Sequence, residues 1–156
     1  MTLERDIELL RAVPFFEGIP AEPLKLLAFS AEARDLADKT VLFSIGDDAD
    51  GGMIVIDGRI DLVDDRTAPA VVKERLGPGA LIGELALIVE TRRPVTAIAV
   101  GRARVLVVRR SLFRRMLSEY PEITQRLRDH IAERLATLSP EIGRIAASLA
   151  PAESES

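Results

Sequence analysis

Within Ile82–Ala99, IGELALIVETRRPVTAIA, one glycine, two glutamates and two adjacent arginines sit among mostly apolar residues. Gly83 has no Cβ, so the backbone there can approach a ligand closely or take a positive φ. Glu84 follows it. A carboxylate only accepts hydrogen bonds, and an ionised one in an apolar segment needs a donor: an arginine, backbone amides or ligand hydroxyls. Leu85-Ala86-Leu87-Ile88 reads as a short buried helix or turn whose first N–H groups can face an anion. Arg92 and Arg93 then bring guanidinium groups, which make charge-assisted, often bidentate contacts to phosphate oxygens. Both polar ends of one small ligand are thereby met. The competing arrangement is a buried turn in which Glu84 pairs with Arg93 and no ligand enters, although a buried ion pair is weak evidence of stability. Arg92 is read as a solvated neighbour, as most arginines are.

Other chemistries have less support. The serines lack a nucleophile-elbow glycine context, and no histidine sits where a base is needed. Gly77-Pro78-Gly79 lacks the Gly-Lys-Ser/Thr end of a triphosphate-binding loop. Nothing singles out a catalytic pair among the 25 acids. Asp47, Asp48 and Asp50 lie among Gly46, Gly51 and Gly52, but their spacing does not match a calcium loop, which alternates oxygen ligands and ends in a glutamate between two helices. They read as a turn with solvated carboxylates. His130 has no partner histidine or cysteine and reads as a surface residue rather than a metal ligand. The expectation is no enzyme, no catalytic residue, no metal and no cofactor.

Composition sets the bounds on what must position these residues. The chain has 156 residues, 47% hydrophobic, enough for one domain with a proper core. A formal net charge of −4 argues against nonspecific nucleic-acid binding. There is no cysteine, which removes disulfides and thiolate chemistry and is consistent with a reducing cytoplasm. No apolar run approaches the ~20 residues that span a bilayer. The expectation is a cytoplasmic chain with no membrane and no nucleic-acid partner.

Apolar spacing predicts helices over 3–13, closed by Pro14, and over 21–29, with Val13, Phe15 and Phe16 as a hydrophobic plug. From Ala31 to about Arg109, short β-branched runs broken by Gly, Pro and Asp predict an antiparallel barrel or sandwich. Its strands are expected over 31–36, 40–44, 53–57, 59–63, 71–76, 96–100 and 103–109, with a tight hairpin at Asp57-Gly58. Ser111 is the expected N-cap of a helix carrying Leu112, Phe113, Met116 and Leu117. A longer helix over 121–137 carries Ile123, Leu127, Ile131 and Leu135, then Leu138. That stripe either closes over the site, pairs with a second copy in a homodimer, or packs on the barrel. A further helix is expected within 139–150 and a disordered acidic tail over 151–156.

The run G-E-L-A-L followed after a short spacer by an arginine resembles the phosphate-binding cassette of cyclic nucleotide-binding domains, the family of catabolite activator protein and protein kinase A regulatory subunits. Val13-Pro14-Phe15-Phe16, Gly46-Asp47-Asp48-Ala49-Asp50, Ile54-Val55-Ile56-Asp57-Gly58 and Leu76-Gly77-Pro78-Gly79 resemble the family's other landmarks, in its order. The resemblance covers roughly 5 to 138 and implies a mainly β fold with flanking helices (α+β): an antiparallel β-roll or jelly-roll barrel with N-terminal helices and C-terminal lid or dimer helices. It assigns Glu84 to the ribose 2′-hydroxyl, Arg93 to the cyclic phosphate, and Gly83, Leu85 and Ala86 to backbone contacts. Pro94 and Val95 complete the expected ligand-binding set. Pro94 departs from the alanine, serine or threonine common there, removing an N–H and a hydroxyl that often favours guanine.

The expected organisation is residues 1–138 as the nucleotide-binding domain with its N-terminal helices, then the extra helix and the tail. No DNA-reading domain, kinase-inhibitor sequence or channel segment is expected after it. The expected function is a stand-alone module binding cyclic AMP, with cyclic GMP second, that couples ligand to movement of its C-terminal helices and thereby to an effector protein. The alternative is a non-catalytic interaction scaffold with a degenerate cassette.

Overall fold

In the computed structural model, which describes residues 3–136, two 14-residue strands dominate. β4, Gly51–Asp64, and β8, Thr96–Arg109, run antiparallel along nearly their whole length. Around them lie β1 (Glu32–Leu36), β2 (Val41–Phe43), β3 (Asp48–Ala49), β5 (Val71–Leu76), β6 (Leu81–Ile82) and β7 (Thr91–Arg92). β1, β8, β4 and β5 form one sheet in that order, β2 joins β8, β6 joins β4, and β3 pairs with β7. The pairings are antiparallel throughout. The architecture is mainly antiparallel β with flanking helices, as the sequence pattern requires.

The tight hairpin expected at Asp57-Gly58 does not form. β4 continues through Gly58, and β8 continues through Gly101, so two pairs of expected short strands are two long bent ones. Asp57 faces Arg104 and Arg59 faces Val100, leaving Gly58 opposite the Gly101–Ala103 stretch. Gly58 has φ +85°, and a Cβ there would collide with the carbonyl of Arg102. The Asp-Gly pair therefore marks the corner at which paired strands bend.

Inside the roll, Phe43, Met53, Val55, Ile60, Ile82, Ala97, Ala99, Val105 and Val107 form a buried cluster. All six residues from Gly51 to Ile56 are buried, so this half of β4 is covered on both faces. A second apolar cluster gathers α1 (Leu3–Ala12), a 3-10 turn at Pro14–Phe16, α2 (Ala21–Ser30) and the start of α3 (Arg110–Glu119). Phe15, Phe16 and Phe113 meet there with ring centroids 5.5–6.2 Å apart, and Leu10, Leu24, Leu27 and Met116 are fully buried with them. The plug expected from Val13, Phe15 and Phe16 is present.

Ser111 lies inside α3 rather than capping it, because Arg110 is already helical. Among the described residues, those from Leu117 to Ala136 belong to a second compact unit. In it α4 runs over Pro121–Ala136, and Thr124 Oγ1 donates to the Leu117 carbonyl at 3.2 Å. No described helix is long and apolar enough to cross a membrane. The expectations for the side chains of Leu127, His130, Ile131 and Leu135, for Leu138, for the helix within 139–150 and for the tail 151–156 fall outside what the structure describes.

Candidate functional site

Gly83 takes φ +80°, ψ +40°, the left-handed region, and opens a 3-10 turn over Glu84–Leu87. A side chain would be strained there whatever the space. It would also lack the space: a Cβ on Gly83 would stand 2.5 Å from Arg93 Nη1 and 3.3 Å from the Gly51 carbonyl. The sequence-expected glycine and arginine are thus brought together, ten residues apart in the chain.

Arg93 is 5% exposed. Its guanidinium carbon lies 4.2 Å from the centroid of the Phe43 ring, within cation–π distance. The backbone is fixed on both sides: Arg93 N donates to the Asp47 carbonyl at 2.8 Å, and Gly46 N donates to the Arg93 carbonyl at 2.9 Å. Arg93 Nε is buried without an acceptor. Burial pushes the guanidinium below its ordinary pKa, while the charges of Asp50 and Asp47 pull it back up. A buried cation with a donor left over is costly unless an acceptor arrives, and an anion is the acceptor that suits it best.

Glu84 stands beside Gly83, half-buried, with Oε2 shielded from solvent. Leu85 is half-buried and Ala86 buried. Ala86 N donates to the Gly83 carbonyl at 3.1 Å, which closes the first bond of the turn. Pro94 is exposed. Val95 packs against the roll's core. Of the seven expected residues, Arg93 is brought against Gly83, Glu84, Leu85 and Ala86 follow Gly83 in the turn, and Pro94 and Val95 follow Arg93 in the chain.

Several contributors carried no readable signal. Phe43 is an ordinary strand residue until the roll lays it under Arg93. Asp47 and Asp50, read as solvated turn acids, also bias the arginine; Asp47 Oδ2 accepts from Ser44 N at 2.8 Å and Asp50 Oδ2 from Arg109 Nη1 at 2.8 Å. Arg92 is exposed, as expected, and donates to the Gly46 carbonyl at 3.1 Å. Thr96, 1% exposed, accepts from Ile45 N and donates to Asp65 Oδ1, each at 3.0 Å.

An antiparallel β-roll here sets a left-handed glycine, at the head of a short 3-10 turn, against a buried arginine. The pattern of the cyclic nucleotide-binding domain matches residues 33–120, and the chain belongs to that family. It is 36% identical over 111 residues to lysophospholipase NTE1 of Chaetomium globosum, covering 70% of this chain and 7% of that protein. It is 32% identical over 117 residues to the HTH-type transcriptional regulator Cmr of Mycobacterium tuberculosis, covering 74% of this chain and 48% of the regulator. Among solved structures, a cyclic nucleotide-binding-like protein of Brucella abortus superposes with TM-score 0.68 at 40% identity, over 72% of this chain and 97% of that one. The chain thus spans less than half the length of these two curated relatives.

Proposed function

We propose that this chain binds a cyclic nucleotide, cyclic AMP in preference to cyclic GMP, as a regulatory rather than catalytic module. The observation that carries the reading is Arg93: a guanidinium buried over Phe43, held against Gly83, with Nε lacking an acceptor. The cyclic phosphate supplies that acceptor. Glu84 takes the ribose hydroxyl, the amides after Gly83 face the phosphate, and Val95 lies at the apolar margin. Pro94 supports adenine over guanine, because it offers neither a hydroxyl nor an N–H. Ligand that contacts Arg93 and Glu84 better in one arrangement of the C-terminal helices than in another biases that arrangement, and a protein effector reads it. A coupling of ~1–3 kcal/mol is enough for a useful signal.

Pro94 also favours a second reading, in which the cassette is degenerate and the domain serves as an interaction scaffold. Isothermal titration calorimetry on protein unfolded and refolded to strip bound nucleotide decides between them. Saturable micromolar or tighter binding of cyclic AMP is expected; no heat with cyclic AMP or cyclic GMP makes the scaffold the leading reading.

A further inference from the structure

One side chain outside the expected site holds the cassette from behind. Arg110 Nη1 donates to the carbonyls of Ala49 and Ala86, both at 3.0 Å, and Val89, at 3.2 Å. Its own backbone N donates to the Asp50 carbonyl at 2.6 Å. Ala86 and Val89 lie at the C-terminal end of the turn that Gly83 opens, where carbonyls lack helical partners and carry partial negative charge. Ala49 and Asp50 form the β3–β4 junction, whose acids Asp47 and Asp50 bias Arg93. Arg110 is also the first residue of α3. A single guanidinium therefore joins the cassette, the loop beside Arg93 and the base of the helix that leads out of the roll. It stands in a cleft of about 460 Å³ flanked by Asp48, Asp50, Glu90 and Arg92, on no wall formed by Gly83, Glu84 or Arg93.

We propose that Arg110 is a positioning residue: it fixes the cassette turn on the β3–β4 junction and ties the turn's movement to the start of α3. The part of this inference that concerns ligand rests on the cyclic nucleotide reading above. Three carbonyls converge on one nitrogen, so substitution releases three acceptors at once. Lysine restores the charge but not the planar fork, and methionine keeps length without donors.

The test uses the full chain as wild type, Arg110→Met and Arg110→Lys. Amide hydrogen exchange is measured first without ligand. Exchange at Ile88 and Val89, whose amides bond to the Leu85 carbonyl, is expected to accelerate about tenfold in Arg110→Met, as for loss of charge-assisted hydrogen bonds. The first turn of α3 is expected to accelerate with it, while central β4 and β8 amides keep their rates. A residue with only a general structural role raises all of these together, and that result, or an unchanged cassette, overturns the proposal. Cyclic AMP titration follows, with Kd expected to rise about tenfold in Arg110→Met and less in Arg110→Lys. Local loosening without a change in Kd also overturns the proposal. If the wild type takes up no cyclic AMP, the nucleotide reading falls, and the ligand-free exchange pattern alone decides whether Arg110 fixes the turn.

Discussion

Replacing Gly83 with alanine separates backbone strain from damage to the arginine. An alanine at φ +80° costs about 1–2 kcal/mol on conformational grounds alone. Its Cβ would also lie 2.5 Å from Arg93 Nη1, where ordinary contact begins at 3.4 Å, so the guanidinium must retreat by about 0.9 Å. Gly79 provides the control: its φ is +92°, and a Cβ placed there would meet nothing within 4 Å. Gly79→Ala therefore carries the strain without the collision. Both variants are expected to lose a few degrees of thermal midpoint, at ~2–4 °C per kcal/mol for a chain of this size. Only Gly83→Ala is expected to lose cyclic AMP affinity. A charge-assisted hydrogen bond is worth about 1.5–3 kcal/mol, so misplacing the guanidinium weakens binding by roughly ten- to a hundredfold. Calorimetric titration and thermal unfolding of the two variants beside wild type measure both quantities. Wild-type affinity in Gly83→Ala, with its fold intact, refutes the placement of the anion on the Arg93 guanidinium as Gly83 seats it.

Arg93→Ala is expected to abolish cyclic AMP binding while leaving the thermal midpoint within a few degrees of wild type, because the variant also removes a buried cation with an unused donor; retained binding by titration sinks the assignment. Glu84→Ala is expected to weaken cyclic AMP by about tenfold through loss of hydrogen bonds to the ribose, and a 2′-deoxy analogue should bind wild type and variant alike; a persisting difference between the two proteins would remove Glu84 from the ribose. Thr96→Val keeps volume but leaves the half-buried Ile45 N–H without its acceptor, for an expected loss of about 1–3 kcal/mol in denaturant unfolding. An unchanged midpoint would show that solvent replaces that acceptor.

By itself the sequence determined the local grammar of this protein. Prolines and apolar spacing bounded α1 and α2, and β-branched runs between Gly, Pro and Asp announced antiparallel strands. The G-E-L-A-L run with its arginine marked the candidate site, because a bare glycine, a carboxylate and a guanidinium in an apolar setting have few cheap uses. Long-range geometry could not be read this way. Asp57-Gly58 has the composition of a hairpin turn, yet pairing with β8 on both sides of it overrode the local preference and made it a bend. Phe43 entered the site, and Asp47 and Asp50 acquired a role there, only because the roll brings residues 43–50 against residues 83–93. Arg110 is one arginine among many in the sequence; it becomes a three-carbonyl clamp only where the end of β8, the β3–β4 junction and the cassette turn meet. Side-chain type and spacing act over a few residues, whereas burial, and with it the cost of an unmet charge or carbonyl, is decided by what the chain folds back upon.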